Sequence, residues 1–277
     1  MKKYLLVIAA LVCLTGFFSP EETITVKGSD TMVILAQRWA ELFMKENKNV
    51  IIQVTGGGSG TGIAALINGS TDICNSSRPM KQSEKEKLKD KYGTPGVEIK
   101  VAVDGLSLYV NKANKKIAEL TLEQIKKIYQ GQITNWKEVG GNDAKIIIYG
   151  RENSSGTYVY FKEHVLENQD FSSTLQSLPG TAAVVNAVSK DKNAIGFGGA
   201  AYAKGIKDIA VKIDANSKAY LPAKKFIESG EYPISRYLYM YTKKRPEGNI
   251  KKFVDWILSD KGQSIVTEVG YFPLKKK

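Results

Sequence analysis

Three times in this chain, a short apolar strand is followed at once by a turn of glycine and hydroxyl residues and then by a helix. The turns are Gly28–Thr31, Gly56–Gly62 and Gly150–Thr157. Strands that alternate with helices in this way build a parallel sheet covered by helices. Ligands of such sheets bind in a crevice at the carboxyl ends of the strands. The repeated unit therefore predicts an α/β protein whose polar turns point at one small oxyanion.

The third turn carries the most informative chemistry. It supplies the guanidinium of Arg151, the hydroxyls of Ser154, Ser155 and Thr157, and the flexible Gly156, all at the start of a helix. A helix start has unpaired N–H groups and a partial positive charge, which together bind anions. Glycine and serine before a helix are often only caps, but three such turns in one chain favour a site. No nucleophile lies beside a base in this turn, so it predicts anion binding and no catalysis.

A fourth polar segment, Asn75–Pro79, follows a short predicted strand at Asp72–Cys74. Pro79 keeps the preceding residue out of the helical region of backbone space. Ser77 and Arg78 are therefore expected in an extended loop at the carboxyl end of this strand.

Other local motifs predict where helices and strands begin and end. Ser83–Glu86 and Thr121–Gln124 have the capping-box pattern that opens a helix. Asp104–Gly105 predicts a break between two strands, Ile99–Val103 and Leu106–Val110. The chain is expected to start a new region after this break.

The chain carries a formal net charge of +12, which raises the possibility of a nucleic-acid partner. Only five of its 40 basic residues are arginine, and they are not interleaved with aromatic residues. Lysines along helix faces account for most of the charge and provide a favourable field for anions. We therefore expect no nucleic-acid partner.

Residues 1–19 have the pattern of a signal peptide: Lys2 and Lys3, an apolar run from Tyr4 to Leu14, and small or turn residues before Pro20. The run is too short for a comfortable membrane-spanning helix. We predict export to the periplasm or to the extracellular face of the cytoplasmic membrane. Cys13 is a candidate lipid acceptor, although valine precedes it where a small residue is preferred; the anchor and the cleavage site both stay open.

A secreted phosphatase-like hydrolase is the enzymatic alternative. His164 is the single histidine and lies about two turns into a helix, where packing or surface roles are common. One histidine and the single mature cysteine, Cys74, cannot form a zinc site. Gly56–Gly62 lacks the Gly-Lys-Ser/Thr ending of a nucleotide phosphate loop. The sequence thus predicts no enzyme, no metal and no cofactor.

Five motifs occur together in one order: Gly28–Met32, Gly58–Gly62, Asp72–Arg78, Thr121–Gly141 and Arg151–Thr157. In these motifs the chain resembles the phosphate-binding proteins of bacterial and archaeal ABC importers, over nearly all of its mature length. The resemblance implies high-affinity binding of inorganic phosphate and its delivery to the transmembrane permease subunits of the importer. Sulfate and molybdate are the alternative ligands.

The same resemblance implies a two-lobed periplasmic-binding-protein fold of type II, in which each lobe is a sheet flanked by helices and two hinge crossings join the lobes. Lobe one is then expected to comprise residues 20–103 and 237–277, and lobe two residues 104–236. We expect a monomer that closes on its ligand at the cleft between the lobes.

Carried over by motif, the phosphate ligands of the family fall on ten residues: Ser29, Asp30, Thr31, Ser59, Ser77, Arg78, Arg151, Ser155, Gly156 and Thr157. Longer members of the family have an aspartate where this chain has Ser77, and that aspartate accepts the proton of phosphate. Asp30 is the predicted substitute and Asp72 the alternative. A competing interpretation makes Asp30 a simple helix cap, because aspartate is among the commonest caps.

Overall fold

One ten-stranded sheet runs through residues 22–275, the part of the chain that the computed structural model describes. The predicted signal peptide, including Cys13, lies outside the described residues. The strands are β1 (Glu22–Gly28), β2 (Val50–Thr55), β3 (Ile73–Ser76), β4 (Val97–Val110), β5 (Glu119–Thr121), β6 (Ile147–Arg151), β7 (Gln176–Leu178), β8 (Ala194–Gly199), β9 (Lys207–Lys212) and β10 (Ser235–Thr242).

Along the chain, a helix connects most of the consecutive strands. The helices are α1 (Val33–Glu46), α2 (Ser59–Asn68), α3 (Gln82–Tyr92), α4 (Leu122–Tyr129), α5 (Gly156–His164), α6 (Thr181–Lys190), α7 (Lys224–Ser229), α8 (Gly248–Leu258) and α9 (Asp260–Val269). Short 3-10 turns cover Asp30–Met32, Trp136–Val139 and Ala200–Tyr202. Within residues 22–275, no helix combines the length and the apolar character needed to cross a membrane.

The strand order is β2-β1-β3-β10-β4-β8-β6-β7, with β9 beside β4 and β5 beside β9. Strand β1 pairs in parallel with β2 and β3, and β6 pairs in parallel with β7 and β8. The antiparallel strands β4 and β10 lie between these two parallel groups. The mixed α/β architecture thus agrees with the predicted alternation of strands and helices.

We call the two larger hydrophobic clusters of the described residues the first and the second core. Leu35, Trp39 and Phe43 on α1 belong to the first core, as the apolar stripe of that helix predicts. The second core is rich in aromatic rings, among them Phe161 and Phe197, which stack at 4.1 Å between centroids. Strand β4 contributes to both cores. The assignment of residue ranges to two lobes stays a prediction.

Two local predictions are wrong. The predicted break at Asp104–Gly105 does not exist, because β4 continues through both residues and pairs there with β10. The predicted capping box at Ser83 is also wrong, because α3 begins earlier and Glu84 accepts a hydrogen bond from the N–H of Lys81 at 2.8 Å. The box at Thr121 is confirmed: its Oγ1 accepts from the N–H of Gln124 at 3.0 Å.

Candidate anion-binding site

The polar turns that follow β1, β2 and β6 meet one another through their backbones. The N–H of Gly58 donates to the carbonyl of Gly28 at 3.0 Å, which joins the first turn to the second. The N–H of Gly60 donates to the carbonyl of Ser154 at 2.9 Å, which joins the second turn to the third. Helices α2 and α5 begin inside these turns. Their starts, with the partial positive charge of each helix end, therefore face a common region.

Most of the predicted ligands lie in this region and are buried. Those that are buried are Ser29, Thr31, Ser59, Ser77, Arg78, Arg151, Ser155, Gly156 and Thr157. The hydroxyl oxygens of Thr31 and Thr157 are 2.9 Å apart, and those of Ser59 and Ser77 are 3.3 Å apart. Ser59 also accepts the N–H of Ser77 at 3.0 Å. Buried hydroxyls need partners, and these hydroxyls find them in one another.

Gly156 leaves the space in which these hydroxyl groups meet. A Cβ atom on this residue would lie 2.3 Å from Oγ of Ser59 and 2.7 Å from Oγ of Ser77. Such distances are far below van der Waals contact. Glycine at this position thus allows the start of α5 to approach the start of α2 and the loop that follows β3.

Ser155 caps the helix that begins here. Its Oγ accepts the N–H groups of Thr157 at 3.1 Å and of Tyr158 at 3.3 Å. This is the usual role of a serine at the N-cap. The side chain of Ser155 therefore serves the helix start directly.

Arg151 and Asp30 form a largely buried ion pair across the region. Nη2 of Arg151 donates to Oδ2 of Asp30 at 2.5 Å, and Nη1 donates to Oγ1 of Thr181 at 3.0 Å. Nε of Arg151 donates to the carbonyl of Leu178 at 3.3 Å. The other oxygen of Asp30, Oδ1, accepts the N–H of Gly57 at 2.9 Å. The guanidinium is thus held in one orientation by three groups, on Asp30, Leu178 and Thr181.

The interpretation of Asp30 as a simple helix cap is wrong. Ser29 occupies the cap position before the 3-10 turn, and Asp30 instead connects the second turn to Arg151. Asp72, the alternative proton acceptor, precedes β3, so it lies at the amino end of that strand. Its Oδ2 accepts the N–H and the hydroxyl of Thr25, both at 2.8 Å. Asp72 therefore links two strands at the opposite end of β3 from the polar turns.

Arg78 forms an ion pair within the protein, and its role as an anion ligand stays a prediction. Its Nη1 and Nη2 donate to the two carboxylate oxygens of Glu84 at 2.8 and 2.7 Å, and Nη1 also donates to the carbonyl of Pro79. A bidentate pair with a carboxylate uses the charge and the geometry of a guanidinium together. Arg78 thus fixes the start of α3.

Sequence reasoning missed Arg236 and Asp104, which face each other on β10 and β4. Nη2 and Nε of Arg236 donate to Oδ2 of Asp104 at 2.9 and 3.2 Å. Nη2 also donates to Oγ1 of Thr157 at 2.9 Å. Burial raises the pKa of Asp104, and the charge of Arg236 opposes this shift. Asp104 and Arg236 carry opposite charges inside two apolar strands, at the predicted boundaries between the lobes. These two charges were the signal available in the sequence.

The region is rich in hydrogen-bond donors. It offers hydroxyls, helix-start N–H groups and a guanidinium, with Asp30 as a carboxylate among them. His164 lies elsewhere: its ring stacks on Tyr160 at 4.0 Å, and its Nδ1 is 3.1 Å from the carbonyl of that residue. Among residues 22–275, no three His, Cys, Asp or Glu side chains are grouped so as to hold a metal ion.

Comparison with known proteins identifies the family. A family model described as a PBP superfamily domain matches residues 19–261. The phosphate-binding protein PstS of Staphylococcus saprophyticus is 37% identical over 259 residues, which cover 90% of this chain and 80% of that protein. The phosphate-binding protein PstS of Pseudomonas aeruginosa is 36% identical over 273 residues, with 90% and 82% covered.

Solved structures give the same result. A crystal structure with bound phosphate, of a Clostridium perfringens protein assigned as a phosphate ABC transporter substrate-binding protein, superimposes with a TM-score of 0.83 at 31% identity. It covers 92% of this chain and is itself covered completely. An ABC-type phosphate transport receptor from Vibrio cholerae gives 0.72 at 29% identity, with 91% of this chain and 100% of the receptor covered.

Proposed function

Because the chain belongs to the PBP superfamily and, within it, to the phosphate-binding proteins PstS, we propose that it binds inorganic phosphate between its two cores and delivers it to the permease subunits of an ABC importer. Its fold is the periplasmic-binding-protein fold that its motifs predict. Sulfate and molybdate are not favoured as ligands, since the relatives are phosphate-binding proteins.

The observation that supports this proposal best is that polar groups from both cores meet one another. Thr31 and Ser59 come from the side of the first core, and Arg151 and Thr157 from the side of the second. We assign direct contacts with phosphate to these groups, to Ser29 and Ser77, and to the helix start at Gly156. A tetrahedral anion with four oxygens can use donors from several directions at once, which suits this arrangement.

Asp30 is the proposed selectivity residue. Phosphate keeps a proton at neutral pH, whereas sulfate has none to donate. Each carboxylate oxygen has two lone pairs, so Asp30 can accept the proton of phosphate while it accepts from Arg151 and Gly57. Sulfate at the same position would face an acceptor with no hydrogen between them, which costs free energy.

We infer a binding protein and not an enzyme. The relatives are binding proteins of a transport system, and the proposed site holds no nucleophile with an adjacent base. The signal-like N-terminal segment supports export, with the protein working outside the cytoplasmic membrane. Attachment by a lipid at Cys13 is a separate proposal that mass spectrometry of the exported protein can test.

Isothermal titration with phosphate, arsenate, sulfate and molybdate tests the function. We expect tight binding of phosphate, competition by arsenate, and weak or undetectable binding of sulfate and molybdate. Preferred binding of sulfate or molybdate would contradict the proposed ligand. Absence of binding of all four anions would contradict the proposed function itself.

Substitution of Arg151 tests the assigned site. Arg151→Ala is expected to lower phosphate affinity about tenfold to a hundredfold, because a charge-assisted hydrogen bond contributes roughly 1.5–3 kcal/mol. The matched control is Arg38→Ala, which removes a partly exposed guanidinium that pairs with Glu41 and Glu268 on the surface. The control should bind phosphate like the parent. Unchanged affinity in Arg151→Ala would place the anion elsewhere.

A further inference from the structure

Arg236 lies on β10 at the point where the chain passes between the two cores. It is buried, and its direct partners are Asp104 on β4 and the hydroxyl of Thr157 on α5. The Tyr160 ring covers the guanidinium at 5.2 Å from the central carbon to the ring centroid. Arg236 thus connects the crossing strands to the helix start on which Thr157 lies.

The chemistry of this contact determines the direction of one hydrogen bond. A guanidinium has five donors and no acceptor, whereas a hydroxyl has one hydrogen and two lone pairs. Thr157 must therefore accept from Arg236, and its own hydrogen cannot be used on that contact. The hydrogen stays available for a different acceptor, and Oγ1 of Thr31, at 2.9 Å, can either accept it or donate to the second lone pair of Thr157.

The charge of Arg236 is compensated where it stands. Oδ2 of Asp104 accepts from two nitrogens of the guanidinium, and the Asp104 side chain is fully buried. A neutral pair exerts a weaker field at a distance than a free cation does. The hydrogen bond to Thr157 is the contact by which Arg236 reaches one of the predicted phosphate ligands.

We propose that Arg236 is a positioning residue for phosphate binding: it fixes the hydroxyl of Thr157 as a donor to the bound oxyanion, and Asp104 holds it in place. This inference rests on the proposed function, in which Thr157 contacts phosphate. Thr31 donates to the remaining lone pair of Thr157 in this arrangement, so that the hydrogen of Thr157 is free for the anion.

Two substitutions of Arg236 distinguish a side chain that donates a hydrogen bond to Thr157 from one that only fills space. Arg236→Gln introduces an amide oxygen that can accept the hydrogen of Thr157, and it is expected to weaken phosphate binding about tenfold or more. Arg236→Lys keeps a side chain that only donates, and it should stay within about threefold of the parent. Equal losses in both variants would overturn the proposal, as would parent-like affinity in Arg236→Gln.

A double-mutant cycle tests whether Arg236 acts through Thr157. In a Thr157→Val background, Arg236→Gln should cause little further loss of affinity, because the hydroxyl that it orients is already absent. The matched control is a cycle of Arg236→Gln with Ser59→Ala, since Ser59 contacts Ser77 and has no contact with Arg236. That pair should show additive losses. Additivity with Thr157→Val would overturn the proposal.

Loss of Arg236 leaves Asp104 buried without its partner, which can destabilise the fold. The same cycle is therefore also measured in an Asp104→Asn background, where neither side of the pair is charged after Arg236→Gln. Thermal unfolding of every variant separates instability from weak binding. If the parent binds phosphate but the cycle shows no coupling, only this inference fails; if the parent does not bind phosphate, the proposed function fails.

Discussion

Asp30 combines two tasks at the scale of a single residue. It orders the donors of two turns, since its oxygens accept from the N–H of Gly57 and from Arg151. The carboxylate of Asp30 also keeps lone pairs that can accept a further hydrogen. The groups around it are N–H and guanidinium donors or hydroxyls. A carboxylate held in this way can discriminate between anions by their protonation.

Asp30→Asn is the direct test of this discrimination. An asparagine preserves size, but it can turn its NH₂ group towards the ligand. We expect weaker phosphate binding and relatively improved sulfate binding, so that the phosphate-to-sulfate ratio of affinities falls at least tenfold. Titration calorimetry of both anions at one pH measures this ratio.

Asp72→Asn provides the matched control. Asp72 binds Thr25 at the amino end of β3, so its substitution should lower the melting temperature and leave the ratio of affinities unchanged. An unchanged ratio in Asp30→Asn would contradict the role of Asp30. A changed ratio in Asp72→Asn would assign that role to the alternative residue.

The hydroxyl residues of the site could be predicted from sequence because each lies in a local motif, a polar turn between a strand and a helix. Local motifs could not show which arginines belong to the site. Arg78 follows such a motif but pairs with Glu84, six residues later, whereas Arg236 meets Asp104 across 132 positions of sequence. The partner of a buried charge depends on tertiary contacts, which no local pattern specifies.

At the scale of elements, β4 shows why a plausible break signal failed. Gly105 stands beside a charged residue, a combination typical of turns. In the structure, the missing side chain of Gly105 allows close packing instead, because a Cβ atom there would lie 2.6 Å from Cβ of Pro222. Asp104 finds its partner on the neighbouring strand, so neither residue interrupts β4. The parallel pairing of β1 with β2 and β3, which the alternation of strands and helices predicts, is confirmed.

The start of α5 supplies a prediction for an element. Gly156→Ala would place a methyl group against Ser59 and Ser77, which belong to the opposite side of the cleft. We expect phosphate affinity to fall at least tenfold, because the helix start can no longer approach these hydroxyls. Calorimetry gives the affinity, and thermal unfolding without ligand gives the stability.

The control substitution is Gly196→Ala in β8. Its added Cβ would lie 2.7 Å from Cγ1 of Val184, within the second half of the molecule. This variant should lose stability and keep its affinity for phosphate. If both variants behaved alike, the effect of Gly156→Ala would reflect general packing and not the cleft.

At the scale of the whole molecule, several segments of the described chain pass between the two cores. Strand β4 contributes residues to both of them. The C-terminal segment does so too, because Tyr271 belongs to the first core and Phe272 to the second. Phe272 and Val103 exchange backbone hydrogen bonds of 2.8 and 3.0 Å, and the hydroxyl of Tyr271 donates to the carbonyl of Thr31. The segment therefore ties the crossing region to the proposed site.

Ligand-driven closure is the prediction for the molecule as a whole. The proposed contacts come from both sides of the crossings, so only the closed arrangement satisfies all of them. Phosphate at a hundred times its dissociation constant should stabilise the protein by about 2.7 kcal/mol. In small-angle scattering, phosphate should lower the radius of gyration of the parent protein. Arg151→Ala, at the same phosphate concentration, should show a smaller change in both measurements. A radius of gyration that does not respond to phosphate, in a protein that calorimetry shows to be saturated, would mean that binding does not move the two halves together.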